Sequence, residues 1–121
     1  MKKVMVVEDD PDVSSILGEL LNVHGYEAIL FSSGAKALAV IEELLPDILI
    51  MDLMMPEMNG FEICKAVRAM STMRNLPMIA ITGYDSVENR RKIFEAGIDD
   101  YLPKPFDVKA LLQKISALIS G

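Results

Sequence analysis

What most constrains this chain is an alternation that runs from end to end. Short apolar runs rich in β-formers, Lys3–Val7, Glu27–Leu30, Ile48–Met51, Met78–Ile81 and Tyr101–Leu102, are each followed by a stretch with helical spacing. The first such stretch puts Val13, Ile16, Leu17, Leu20 and Leu21 on one face, opens at Asp10 and Pro11, and ends at Gly25 after His24. The second carries Ala37, Leu38, Ile41 and either Leu44 or Leu45 behind Ser33 as N-cap. The third follows Asn59 with Phe61, Cys64, Val67 and Met70, and the fourth spans Ser86–Ala96 and stops at Gly97. The last carries Val108, Leu111, Leu112, Ile115, Leu118 and Ile119 behind Asp107. Strand and helix periods that interchange in this way predict an α/β fold. Five parallel strands joined by right-handed crossovers form an open, doubly wound sheet with helices on both faces. The first, third and fourth runs are apolar throughout, as strands buried on both faces require, and the fifth is the weakest strand signal.

A chain of 121 residues suits one domain, here residues 1–121, and no Pro/Gly/Ser linker, charge block or repeat divides it. Its longest apolar runs fall far short of the roughly 20 residues of a membrane span. The apolar stretch after Lys2-Lys3 is too short for a signal peptide, so a cytoplasmic location is expected. Cys64 is the single cysteine, which excludes an internal disulfide and is read as a packed side chain. The net charge of −6 lacks the basic footprint of a direct nucleic-acid binder and points to a protein partner or a cation-assisted ligand. Bland readings suffice for several polar residues: Asp10 as a helix cap, His24 at a helix C-terminus, and Arg90-Arg91-Lys92 as a solvated helix face.

Open α/β sheets bind ligands beyond the carboxyl ends of their strands. At that end stand Glu8, Asp9 and Asp10 after the first run, Asp52 after the third, Thr82 after the fourth and Lys104 after the fifth. The fold therefore delivers them to one rim, although they are far apart in the chain. Carboxylates gathered there repel one another, so one must take a proton or the group must recruit a cation. Oxygen ligands without Cys or His favour a hard ion such as Mg²⁺. Such an ion offsets the charge of an incoming phosphoryl group, Lys104 adds a second cation and Thr82 a hydroxyl. An aspartate is competent to form an acyl phosphate, and phosphoryl transfer needs chiefly alignment and charge stabilisation.

Four segments carry a resemblance that spans essentially the whole chain. They are Val6-Val7-Glu8-Asp9-Asp10, Met51-Asp52-Leu53-Met54-Met55-Pro56-Glu57-Met58-Asn59-Gly60, Ile81-Thr82-Gly83 and Asp99-Asp100-Tyr101-Leu102-Pro103-Lys104-Pro105-Phe106. Together and in this order, they resemble the receiver domains of two-component response regulators. The resemblance implies a flavodoxin-like sheet in strand order 2-1-3-4-5, with Asp52 as the phosphoacceptor. It also implies Mg²⁺ held by Glu8, Asp9, Asp52 and the backbone carbonyl of Met54, with Glu8 often acting through water. Thr82 and Lys104 would contact the phosphoryl group, Lys104–Pro105 would be a cis peptide, and Tyr101 would be the aromatic switch that moves inward with Thr82. Two small departures stand out: Glu8 where many members have Asp, and Gly83 where Ala is usual. Met54 and Tyr84 occupy positions that tune hydrolysis in this family.

The implied function is a phosphorylation-activated switch rather than an enzyme acting on a separate substrate. A histidine kinase or histidine phosphotransfer protein would supply the phosphoryl group. The surface of the fourth helix, fifth strand and fifth helix would then control a downstream protein or an attached output domain, and homodimerisation through that face is left open. The chain ends soon after its fifth helical stretch, so no output domain is expected within it; a stand-alone regulator and an excised domain fit equally. Two rivals fare worse. An aspartate-based phosphohydrolase would want a second acid where Met54 stands, and a flavodoxin-like binding protein would want a Ser/Thr/Gly loop where Glu8-Asp9-Asp10 stands.

Overall fold

The computed structural model describes residues 1–119; Ser120 and Gly121, the last two residues of the expected domain, lie outside the described residues. Strands and helices alternate as β1 (Lys3–Val7), α1 (Pro11–Val23), β2 (Glu27–Phe31), α2 (Gly34–Leu44), β3 (Ile48–Asp52), α3 (Gly60–Ala69), β4 (Met78–Thr82), α4 (Val87–Glu95), β5 (Asp100–Pro103) and α5 (Val108–Ile119). The sheet is parallel in every pairing and runs in the order β2-β1-β3-β4-β5. The expected topology is therefore observed, with β3 central and the strand order reversing between β1 and β3. None of the described helices is long and apolar enough to cross a membrane.

Side chains alternate across a strand, so each strand divides its residues between two cores. Met5, Val7, Leu49, Met51, Met78 and Ala80 pack with Ala37 and Ile41 of α2, Ile63, Cys64 and Val67 of α3, and Ile93 of α4. Val4, Val6, Ile48, Ile50, Ile79, Ile81 and Leu102 pack with Leu17 and Leu21 of α1 and with Leu111 and Ile115 of α5. Helices α2, α3 and α4 thus cover one face, and α1 and α5 the other.

The helix ends follow from local chemistry. Asp10 caps α1 by accepting from the N–H groups of Asp12 and Val13, and Ser33 caps α2 by accepting from Lys36. Gly25 and Gly97 take positive φ just beyond α1 and α4, a region that glycine enters without a Cβ clash. Leu45 also has a positive φ, 50°, as the C-cap of α2; Leu44 packs on the core and Leu45 faces solvent, which resolves the choice between them.

Three helical faces depart from the spacing read along the chain. Ile16 is 60% exposed, because Leu17 and Leu21 with Gly18 form the buried stripe of α1. Ile63 joins Cys64 and Val67 on the buried face of α3, where Phe61 is only partly covered and Met70 is the C-cap. Val108 is exposed at the start of α5, whose buried residues are Leu111 and Ile115.

Candidate functional site

Strand alternation also sets the direction of the polar residues at the carboxyl rim. Asp52 closes β3 and Thr82 closes β4, so both belong to their strands rather than to the loops that follow. The ladder continues one residue past β1 and β5, where Glu8 N–H donates to the Phe31 carbonyl at 3.0 Å and Lys104 N–H donates to the Thr82 carbonyl at 2.7 Å. Counting in twos along each strand puts Glu8, Asp52 and Lys104 on the side of α1 and α5, and Thr82 and Tyr101 on the side of α4.

On the first side the three groups meet. The Lys104 ammonium donates to Asp52 Oδ2 at 3.0 Å and to Glu8 Oε1 at 3.2 Å, joining residues from opposite ends of the chain. Glu8, Asp9 and Asp52 each offer a carboxylate oxygen, all within 4.8 Å of one another. Glu8 and Asp52 are buried and Asp9 is exposed, so the cluster opens to solvent on Asp9's side. Asp52 Oδ1 accepts the Met54 N–H at 3.1 Å, and Glu8 Oε2 accepts the Asp10 N–H at 3.2 Å. The Met54 side chain is exposed. The Lys104–Pro105 peptide is cis, as the resemblance implied.

The electrostatics reflect one ammonium shared among crowded acids. Burial pushes the Glu8 carboxyl from its ordinary 4.5 up to about 7; the hydrogen bond and charge of Asp52 add to the rise, and the Asp10 N–H opposes it. For Lys104, burial acts to lower the pKa, but the hydrogen bonds and charges of Asp52 and Glu8 outweigh it and leave the ammonium above its ordinary 10.5. The donor set is oxygen only, anionic and partly open. Its chemistry fits a hard divalent cation such as Mg²⁺, which takes one or two carboxylates and keeps waters for phosphate oxygens to replace.

On the other side Thr82 is fully buried, and its hydroxyl faces the loop before α4. It accepts the Tyr84 N–H at 3.0 Å and lies 3.5 Å from both the Tyr84 carbonyl and the Asn89 amide nitrogen. Thr82 therefore shares the rim with the acids, but its hydroxyl partners are Tyr84 and Asn89. Tyr101 is half-buried and turned outward: its hydroxyl donates to Asp85 at 3.0 Å, and its ring meets Phe94 edge-on at 6.1 Å. Asp85 also pairs with Arg90 at 3.4 Å.

Asn89 and Asp85 escaped the reading of the chain. Asn89 had a faint signal, since it stands three residues after the Ser86 cap, where Glu or Gln usually reaches back. Asp85 had none, because its partners come from two different elements.

Comparison with known proteins bears on this geometry. Residues 4–116 match the family model described as response regulator receiver domain. The DNA-binding dual master transcriptional regulator RpaA of Synechocystis is 32% identical over 119 residues, covering 98% of this chain and 49% of RpaA. This chain spans about half the length of the curated relatives it matches. Among solved structures, the chemotaxis protein CheY4 of Vibrio cholerae superposes with a TM-score of 0.92 at 32% identity, covering 98% of each chain. The receiver domain of sensor histidine kinase PA1611 from Pseudomonas aeruginosa, solved with a magnesium ion coordinated in its active site cleft, gives a TM-score of 0.90. It is 28% identical, covering 99% of this chain and 98% of that one.

Proposed function

This chain belongs to the response regulator receiver domain family, whose members are phosphorylation-activated switches of two-component systems, and on that premise we propose that it accepts a phosphoryl group on Asp52. The observation that carries this reading is the Lys104 ammonium bridging Asp52 and Glu8 inside a cluster of three carboxylates. A buried aspartate held at the end of a central strand, with a cation fixed against one oxygen and the other held by the Met54 N–H, is an oriented nucleophile.

The donor is a phosphohistidine on a histidine kinase or phosphotransfer protein. A carboxylate oxygen of Asp52 attacks phosphorus, the P–N bond breaks, and its electron pair returns to the imidazole, which picks up a proton. Glu8, Asp9, Asp52 and the Met54 carbonyl would hold Mg²⁺, which supplies charge neutralisation for the transferring phosphoryl oxygens when bound. Lys104 keeps its contact with the acyl phosphate and balances part of a product bearing close to −2. Loss of the signal reverses the bond: water attacks phosphorus, the P–O bond to Asp52 breaks, and inorganic phosphate leaves. The chain thus promotes its own modification and its reversal, without turning over a separate substrate.

The readout lies on the other side of the sheet. Thr82 turns its hydroxyl from Tyr84 towards the phosphoryl oxygen, and Tyr101 leaves Asp85 for the space vacated. The surface of α4, β5 and α5 then changes its population of partner-ready states, in favour of a downstream protein, an attached output domain or a second copy. Residues 1–121 act as one receiver domain in the cytoplasm. RpaA, about twice as long, is a DNA-binding regulator, whereas the net charge of −6 here disfavours direct contact of this domain with nucleic acid.

The test is incubation with acetyl phosphate and Mg²⁺, read by intact mass. The wild type should gain one phosphoryl mass and Asp52→Asn none. A wild type that stays unlabelled, or a variant labelled equally, overturns the assignment.

A further inference from the structure

We propose that Asn89 is a positioning residue that ties the first turn of α4 to the hydroxyl of Thr82, so that α4 senses which way Thr82 points. This rests on the reading of Thr82 given above and adds the link by which its movement leaves the site.

Ser86 caps α4, and its Oγ accepts the Asn89 N–H at 3.0 Å. A longer side chain at this position would fold back on the cap. Asn89 instead reaches towards the sheet, and its amide nitrogen donates to the Tyr84 carbonyl at 2.6 Å. A carbonyl only accepts, so the amide orientation is fixed by its partner. The same Tyr84 uses its own N–H to hold the Thr82 hydroxyl at 3.0 Å, and the Asn89 nitrogen lies 3.5 Å from that hydroxyl. Thr82, both polar groups of the Tyr84 backbone, and Asn89 therefore form one closed set.

Little else fixes this end of α4. Ile93 is its single buried residue, and Val87 in the first turn is exposed. Apart from Phe94 against Tyr101 in its last turn and the Arg90 side chain's bond back to the Ser86 carbonyl at 3.4 Å, its side-chain ties are surface pairs: Arg90 with Asp85, Arg91 with Glu95, and Lys92 with Glu88. Such exposed pairs contribute little. When the Thr82 hydroxyl turns towards the acid cluster it abandons the Tyr84 N–H, which loosens the peptide whose carbonyl Asn89 grips. The first turn of α4 is then released, and Asp85 next to it carries both Tyr101 and Arg90.

The experiment uses the full chain and follows amide hydrogen exchange at Tyr84, Asn89 and Arg90, with and without beryllium fluoride and Mg²⁺ as a stable phosphoryl mimic. In the wild type the mimic should speed exchange at these amides. In Asn89→Ala they should exchange roughly tenfold faster already without the mimic, the scale of one lost hydrogen bond, and the mimic should add little more. Because coupling is reciprocal, the mimic should also bind the variant severalfold more tightly. Asn89→Asp keeps the size and suits a helix N-terminus but cannot donate to Tyr84, so it should behave alike and excludes misfolding as the cause. A purely local capping role would raise exchange in both states and leave the mimic's effect and affinity unchanged, which overturns the proposal. A wild type that does not bind the mimic overturns the phosphoacceptor reading, and the proposal with it.

Discussion

Glu8 shows how a single residue is shaped by competing demands. A carboxyl held near 7 against an ordinary 4.5 binds its proton more tightly in the folded chain than in the unfolded one. Its favourable contribution is whole below about pH 4.5, declines as pH rises through about 7, and is gone above that. In metal-free buffer the wild type should therefore lose roughly 1–3 kcal/mol between about pH 5 and about pH 8 from this source. Glu8→Gln should show a flatter profile in urea denaturation at the two pH values, and identical slopes would refute the assignment. A divalent cation competes with that proton, so added Mg²⁺ should raise wild-type stability more at the higher pH. Most of the chemical residues at this scale were visible along the chain, because acids, a threonine and a lysine directly after apolar runs can reach only one rim. Asp85 was not, since nothing in its own neighbourhood distinguishes a tether from a solvated side chain, and Asn89 carried only the faint signal of its place three residues after the Ser86 cap.

At the scale of elements, helix ends were easier to read than helix faces. Caps depend on a few adjacent residues, and Asp10, Ser33, Asn59 and Ser86 all act where local chemistry places them. Asn59 goes further: its Oδ1 accepts the Glu62 N–H at 2.9 Å, while Glu62 accepts the Asn59 N–H at 3.0 Å. Asn59→Ala should cost about 1 kcal/mol in chemical denaturation, and no loss would mean that the reciprocal cap is idle. Faces depend instead on what lies opposite. Ile16 fits the apolar spacing of α1 as well as Leu17 does, yet the helix is rotated so that Gly18 approaches Leu30 of β2, and Ile16 is left in solvent. Spacing alone cannot choose between two adjacent apolar residues at the margin of a stripe.

The whole molecule is held by a sheet buried on both faces, and the two cores should respond accordingly. Ile50 is fully buried in central β3, so Ile50→Ala should cost about 2–5 kcal/mol, whereas Ile16→Ala should stay within about 0.5 kcal/mol. Equal losses in urea denaturation would contradict the layered arrangement. Other contacts act across the fold. The Arg68 guanidinium donates to the carbonyls of Arg74, Leu76 and Gly97 and to Asp99, and Asp99 accepts the Met78 N–H, so α3, the approach to β4 and the approach to β5 share one clamp.

Period and punctuation along the chain are local properties, and they were enough to establish the order of strands and helices, the buried character of β1, β3 and β4, and the membership of the carboxyl rim. Which alternate residues of each strand face which layer of helices, and with it the separation of Glu8, Asp52 and Lys104 from Thr82 and Tyr101, was not legible there, because strands apolar on both faces carry no alternation to read. Which strands lie side by side, how far the ammonium stands from each acid, and which groups Thr82, Arg68 and Tyr101 actually hold were decided only in the folded molecule. Those contacts join residues tens of positions apart, and their distances follow from sheet order, register and helix rotation, none of which a local period encodes.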